Sequence, residues 1–290
     1  MGSLTEPPFK HIAIFGLGLI GGSIALAARR RWPSVQVIAI DRPQVIDAAV
    51  RMHVVDRGGD DVRAAAPADL VMLAAPVLQN VAALKALPDR LPRSAVVTDA
   101  GSTKRVMLEA AAELPERFQF VGGHPLAGAA VSGIEAARPD LFDDRPWILT
   151  RSERTLQSTV AALTQFITGL RAIPQLMDAA EHDRLLAYLS HLPQLTVSAL
   201  MHVVGTRAGE GGLAFAGRGL RDTTRLASSP AAPWRDIVAT NGDNICSAVD
   251  DLISALQQLK AAHDGGADAQ ARLEQMFLSA ARWKGVLEHG

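Results

Sequence analysis

The chain has 290 residues, 48% of them hydrophobic and 20% charged, with a formal net charge of -1. That length suits two domains of ordinary size, and the composition excludes a disordered or fibrous chain. Balanced charge gives no global reason to bind nucleic acid or an anionic membrane, and a single cysteine, Cys246, excludes an internal disulfide and suits a reducing compartment.

The start, Met-Gly-Ser-Leu-Thr-Glu-Pro-Pro, has neither the cationic beginning nor the apolar middle of a signal peptide, so a cytoplasmic protein is expected. Ile12 to Ala28 carries no charge and approaches the length of a membrane span. Its glycines and serine argue instead for a strand, a tight turn and a helix. His11–Phe15 reads as a buried strand, Leu19–Arg31 as a helix and Val35–Ile40 as a second strand, which together form one βαβ unit. The run Arg29-Arg30-Arg31 reads as a solvated helix end, where cations complement the macrodipole.

Leu70–Ala74, Ala95–Thr98 and Phe120–Val121 are further short apolar runs, separated by helical stretches at Val77–Leu87 and Lys104–Leu114. This alternation predicts an α/β, Rossmann-type, doubly wound parallel sheet over residues 1–150. Past residue 150 the pattern reads as all-α over residues 151–290, with helices at Ser152–Leu170, Asp178–Val204, Pro233–His263 and Ala267–Leu287. Arg171–Leu176, with its Pro174, and the Gly-rich stretch Gly205–Gly219 read as punctuation, and Pro193 should kink its helix.

Gly16, Gly18 and Gly21 form G-x-G-x-x-G between the first strand and first helix. The first glycine permits the tight turn, the second lets backbone approach a pyrophosphate, and the third brings helix close to strand, while the helix start at Leu19 and Ile20 offers N–H groups to the anion. Asp41 ends the second strand, where a carboxylate can bind both ribose hydroxyls and repel a 2′-phosphate, predicting NAD over NADP. Arg42 is a neighbouring cation that could accommodate that phosphate. Ala75-Pro76 follow a strand at the carboxyl edge of the sheet and are placed on the nicotinamide side.

Ser102, in Asp99-Ala100-Gly101-Ser102-Thr103-Lys104, reads either as a helix N-cap or as a functional hydroxyl. His124, in Gly122-Gly123-His124-Pro125, is expected in a loop on the same sheet edge, where core packing gives little reason for an imidazole. No Cys/His cluster has zinc spacing, so no metal is expected.

Taken together, Gly16-Leu17-Gly18-Leu19-Ile20-Gly21-Gly22-Ser23, Asp99 to Lys104, Gly123-His124-Pro125-Leu126-Ala127-Gly128, Ser190-His191-Leu192-Pro193, and Arg221-Asp222-Thr223-Thr224-Arg225 with Trp234-Arg235-Asp236 resemble the prephenate and arogenate dehydrogenases of tyrosine biosynthesis. The resemblance covers about residues 11 to 262 and implies oxidation of a cyclohexadiene hydroxyl by NAD with loss of the ring carboxylate. It implies that His124 is the catalytic base, that Ser102 orients the hydroxyl and the histidine, and that Arg225 binds a substrate carboxylate. It places His191 and Trp234 at the substrate pocket and implies a homodimer joined through the helical half. His182 and Asp183 also match, without a physical argument for their role.

Two departures concern substrate choice. Relatives that prefer prephenate often carry an acid where Ala130 stands and a histidine where Gln194 stands, so arogenate, or both substrates, is open. No appended regulatory domain is expected. A dehydrogenase of the 3-hydroxyacid type is an alternative, but the helical half offers only Lys260 and Lys284 for acid-base work. A non-catalytic NAD sensor is another.

Overall fold

A computed structural model of the chain describes residues 6–128, 131–262 and 266–289. The chain begins with β1 (His11–Phe15), α1 (Leu19–Arg31), β2 (Gln36–Ile40), α2 (Pro43–Arg51), β3 (Arg57–Gly59), β4 (Leu70–Leu73), α3 (Val77–Arg90), β5 (Ala95–Asp99), α4 (Arg105–Ala111) and β6 (Phe118–Pro125). Next come β7 (Pro146–Thr150), α5 (Gln157–Gly169) and β8 (Ile173–Leu176). The described strands form one sheet in the order β3-β2-β1-β4-β5-β6-β7-β8, parallel from β3 to β6, with β7 antiparallel to β6 and β8 parallel to β7.

The central strands are apolar throughout because both sheet faces are covered. Ile12, Ile14, Leu70 and Met72 contribute to a core with α1 and α5 on one face. Their neighbours Ala13, Val71 and Leu73 contribute to a second core with α3 and α4 on the other face. Trp32 and Phe166 stack at 5.6 Å, Phe9 meets Phe166 edge-on at 5.9 Å, and this aromatic cluster fixes α5 against the α1 side.

The change to an all-helical chain expected at residue 150 comes after Leu176. Arg171–Leu176, which by pattern punctuates two helices, contains the edge strand β8. Its Pro174 is tolerable because an edge strand has one unpaired side. β3 and β7 also add to the sequence expectation; β3 is the polar run Arg-Gly-Gly, without an apolar signature.

The helical region comprises α6 (Ala179–Leu186), a π-helical turn over Ala187–His191, α7 (Leu192–Leu213), α8 (Arg218–Thr223), a 3₁₀ turn at Arg225–Ser228, α9 (Ala231–Thr240), α10 (Gly242–Ala261) and α11 (Ala267–His289). Pro193 stands one residue beyond Leu192, which caps the π turn: widening the helix accommodates the missing N–H, so the expected kink takes that form. Gly209, at φ 64°, interrupts α7. The helix expected over Pro233–His263 divides at Asn241, and His263 lies outside the described residues. Two compact units result, Met1–Asn241 and Gly242–Gly290, the second being α10 packed on α11. Among the described residues no helix is long and apolar enough to cross a membrane.

Phe166→Ala tests whether α5 belongs to the sheet's core: removing this fully buried ring should lower stability by about 3–5 kcal/mol in urea unfolding. An unchanged midpoint would contradict the packing described.

Candidate active site

In a parallel sheet the carboxyl ends of all strands share one edge, and the strand order reverses here between β1 and β4. That reversal opens a crevice. A cavity of about 650 Å³ occupies it, lined by Gly16, Gly18, Asp41, Arg42, Ala75 and Pro76 among others. Gly16 has φ +91°, and a Cβ there would meet the Ala75 backbone at 2.7 Å, so only glycine fits beside the β4–α3 turn. A Cβ on Gly21 would run into the Gly16 carbonyl, which explains the close approach of helix to strand. Gly18 faces open space and caps α1 without a side-chain hydrogen bond, leaving the first-turn N–H groups, including those of Leu19 and Ile20, available to an anion.

Asp41 accepts the Leu17 N–H at 2.7 Å and the Arg42 N–H at 2.7 Å, which fixes its carboxylate at the groove. The Arg42 side chain points largely into solvent, 80% exposed. Asn80, fully buried on α3, accepts from Ala75 N–H at 3.0 Å and donates to the carbonyls of Ala75 at 2.8 Å and Leu73 at 3.1 Å. It clamps the turn that carries Pro76. Sequence reasoning missed Asn80, although a polar residue within the buried stripe Val77, Ala83, Leu84 and Leu87 was the available signal. These residues fit a dinucleotide: a helix start for its phosphates, a carboxylate for a ribose and open space at Gly18.

His124 corrects one expectation. Gly122-Gly123-His124-Pro125 is not a loop but the last part of β6, with His124 paired to Ile148 of β7. Only glycine fits at these two strand positions, because a Cβ on Gly122 would run into Thr150 Oγ1 and one on Gly123 into the Asp99 carbonyl. Beneath them lies an ion pair between Lys104 and Asp99, both fully buried. Lys104 Nζ also donates to the Gly123 carbonyl at 2.7 Å, and Asp99 accepts N–H groups from Gly101 at 2.8 Å and Gly123 at 3.0 Å. The pair therefore joins the ends of β5 and β6 directly behind the histidine. Burial lowers the Lys104 ammonium's pKa, and Asp99 opposes that shift.

The imidazole is oriented from α6. His124 Nδ1 lies 2.9 Å from His182 Nε2, and His182 Nδ1 lies 2.8 Å from Asp183 Oδ1. Asp183 also accepts N–H groups from Lys104 at 2.7 Å and Arg105 at 3.0 Å, thereby capping α4 from another helix. Burial works against its charge, but hydrogen bonds from His182, Arg105 and Lys104 hold the carboxyl below the usual carboxylate range. Burial, reinforced by His182 and Lys104, holds His124 well below the ordinary imidazole value; burial and Lys104 lower His182, against the pull of Asp183.

Both rings are thus neutral near pH 7, and the carboxylate decides where their hydrogens sit. Asp183 takes the His182 Nδ1–H, so His182 Nε2 is bare and accepts His124 Nδ1–H. His124 Nε2 is left as a lone-pair acceptor. That is the form a general base requires. A cavity of about 470 Å³ opens beside His124, lined by Gly128, Met177, Leu186, Leu189 and Ser190 among others.

Ser102 is half-buried in the β5–α4 turn, and neither caps α4 nor hydrogen-bonds to His124: the ring is oriented by His182 instead. His191 is buried in the π turn, its ring edge-on to Trp234 at 6.1 Å. Gln194 is buried and fully engaged, donating to the Leu226 carbonyl at 2.8 Å and Ser198 Oγ at 3.2 Å, and accepting from Ser229 Oγ at 3.1 Å. It ties α7 to the 3₁₀ turn on which Arg225 stands exposed. Ala130 lies outside the described residues. The roles missing from the sequence reading, those of His182, Asp183, Lys104 and Asp99, depend on contacts between elements distant along the chain.

Neutral buried histidines carry a pH signature. The unfolded chain binds protons on each of them below about pH 6.5, whereas the folded chain resists protonation, with His191 pushed down to about 4 by burial. Stability is therefore fully present above about pH 6.5 and lost as pH falls below it, by about 1.4 kcal/mol per pH unit for each histidine while its folded form stays neutral. Urea unfolding at about pH 7 and about pH 5 should show this loss, and replacing His191 with Phe should reduce the slope. A pH-independent midpoint would contradict it.

Residues 24–174 match the family described as prephenate dehydrogenase, nucleotide-binding domain, and residues 178–276 the one described as prephenate dehydrogenase, dimerization domain. The prephenate dehydrogenase of Bacillus subtilis (strain 168) is 36% identical over 255 residues, covering 86% of this chain and 69% of that protein. The crystal structure of prephenate dehydrogenase from A. aeolicus in complex with hydroxyphenyl propionate and NAD+ is 27% identical, with a TM-score of 0.85 over 94% of this chain and 98% of that one. A Synechocystis arogenate dehydrogenase structure is 29% identical, with a TM-score of 0.77 over 94% and 99%. These matches span both halves of the chain, and the chain belongs to the prephenate dehydrogenase family.

Proposed function

We propose that this chain catalyses the oxidative decarboxylation of prephenate, arogenate or both, giving 4-hydroxyphenylpyruvate, tyrosine or both. The observation that carries the reading is the hydrogen-bonded row His124, His182, Asp183, which leaves His124 Nε2 bare at the carboxyl edge of the sheet. A non-catalytic NAD sensor would have no use for that row.

Bound nicotinamide supplies the acceptor for the hydride leaving the ring carbinol carbon. His124 Nε2 takes the hydroxyl proton as the carbonyl forms, and the positive charge that develops on its ring is shared through His182 toward Asp183. Loss of the ring carboxylate then makes the ring aromatic. Arg225 offers a planar fork to a substrate carboxylate, Ser102 lies in the turn facing the same edge, and His191 and Trp234 line the substrate side. Gln194 and Ala130 are both uncharged, where relatives that prefer prephenate often carry a histidine and an acid, which favours acceptance of arogenate as well as prephenate.

The cofactor is NAD in preference to NADP, because the Asp41 carboxylate, fixed by two backbone N–H groups, favours ribose hydroxyls and repels a 2′-phosphate. The nucleotide-binding part extends through β8, and the helical remainder serves substrate binding and self-association. Apolar side chains exposed on α7 and α11, such as Val203, Phe277 and Trp283, support a homodimer. An exposed free thiol at Cys246 suits the cytoplasm.

Purified protein mixed with NAD or NADP and with prephenate or arogenate, followed by the absorbance of reduced nicotinamide, tests the whole reading. Turnover is expected with at least one substrate. Replacing His124 by Ala should lower kcat by about 10²-fold to 10⁴-fold while NAD still binds. Full turnover in that variant would remove His124 from the chemistry. Asp41→Asn should narrow a preference for NAD that is about tenfold or more in the parent, and an unchanged ratio of the two affinities would refute the role of Asp41.

A further inference from the structure

We infer that Asn241 is a positioning residue that fixes the tautomer of His191, so that His191 presents an Nε2–H donor to an oxygen of the substrate. This rests on the proposed reaction only for the identity of the acceptor; the tautomer stands on the hydrogen-bond geometry and the burial of the ring.

Asn241 is fully buried at the end of α9. Its Oδ1 accepts from Arg105 Nη2 at 3.2 Å, and its Nδ2 donates to the Asp183 main-chain carbonyl at 2.7 Å. A guanidinium can only donate and a carbonyl can only accept, so these two partners fix which end of the amide is which. Turning the amide over would set donor against donor and oxygen against oxygen. The Nδ2 group also lies 3.3 Å from His191 Nδ1. With an amide hydrogen facing it, Nδ1 must supply the lone pair.

Burial keeps the His191 ring neutral, with a pKa of about 4, so its single ring hydrogen sits on Nε2. Nε2 is itself buried and, among the described residues, has no hydrogen-bond partner. Leaving an N–H inside a protein unpaired is unfavourable and calls for a reason, which a ligand completing the bond would supply. Trp234 stands edge-on to the ring as an aromatic wall. Prephenate and arogenate carry carboxylates and a hydroxyl, hence oxygen acceptors that this donor suits.

Asp183 therefore governs two histidines in opposite senses. Its carboxylate, through His182, leaves His124 with a bare Nε2. Its main-chain carbonyl, through Asn241, leaves His191 with a protonated Nε2. The first ring accepts a proton, and the second donates a hydrogen bond without giving one up.

Histidine-labelled protein read by nitrogen NMR tests this directly, with the His191 signals assigned by difference from His191→Phe. The parent protein, free of ligands, should show His191 in the Nε2–H form, and prephenate added without cofactor should shift that proton. Asn241→Asp places an oxygen against Nδ1, and should move the His191 hydrogen to Nδ1 and raise the KM for the substrate about tenfold, with kcat changed far less. A His191 hydrogen on Nδ1 in the parent overturns the inference, as does an Asn241→Asp variant with unchanged tautomer and KM. Because the parent spectrum does not depend on Asn241→Asp, misfolding of that variant leaves the test standing. An Nε2–H signal in a protein that turns over neither substrate supports the tautomer and counts against the proposed reaction instead.

Discussion

A carboxylate removed from water has to be satisfied from several sides at once, and Asp183 meets that requirement by gathering the site around itself. It accepts the first N–H groups of α4, the Nδ1–H of His182 and, more weakly, Arg105 Nε at 3.4 Å. Each donor serves a different part of the site, since α4 follows the Ser102 turn, His182 orients the base, and Arg105 orients Asn241. Replacing this hub by an apolar residue would leave several buried donors without a partner, which costs more than any single bond it makes.

The second constraint is the ion pair of Lys104 with Asp99, which stands behind Gly123 and couples the ends of β5 and β6. A fully buried pair is weak evidence for net stability, because both ions give up hydration. Its value here is positional and electrostatic: the ammonium lies near enough to His124 and His182 to help keep both rings neutral. The glycines at 122 and 123 make the room for it.

Much of the nucleotide half was legible in the sequence because its determinants are local. The first strand and first helix fall at His11–Phe15 and Leu19–Arg31 as their pattern predicts, and the glycine spacing and Asp41 carry their own geometric reasons. What was not legible depends on partners far along the chain. β8 contains a proline and only half of it is apolar, so its strand character comes from pairing with β7. Gly122-Gly123 looks like a loop until the close approach of Asp99 and Thr150 is known. His182 and Asp183 read as polar residues on a helix; their chemistry appears only when α6 packs on β6 and α4, 58 residues from His124. Ser102 shows the reverse case, since a family motif names it, while the hydrogen-bond partner of the His124 ring is His182.

Asp183 sets the proton positions that make His124 a base. Steady-state kinetics of Asp183→Asn, with NAD binding measured in parallel as a control on folding, test this most directly. A fall in kcat of about 10²-fold or more at near-parental NAD affinity is expected. A kcat within about twofold of the parent, with the same affinity, would contradict it.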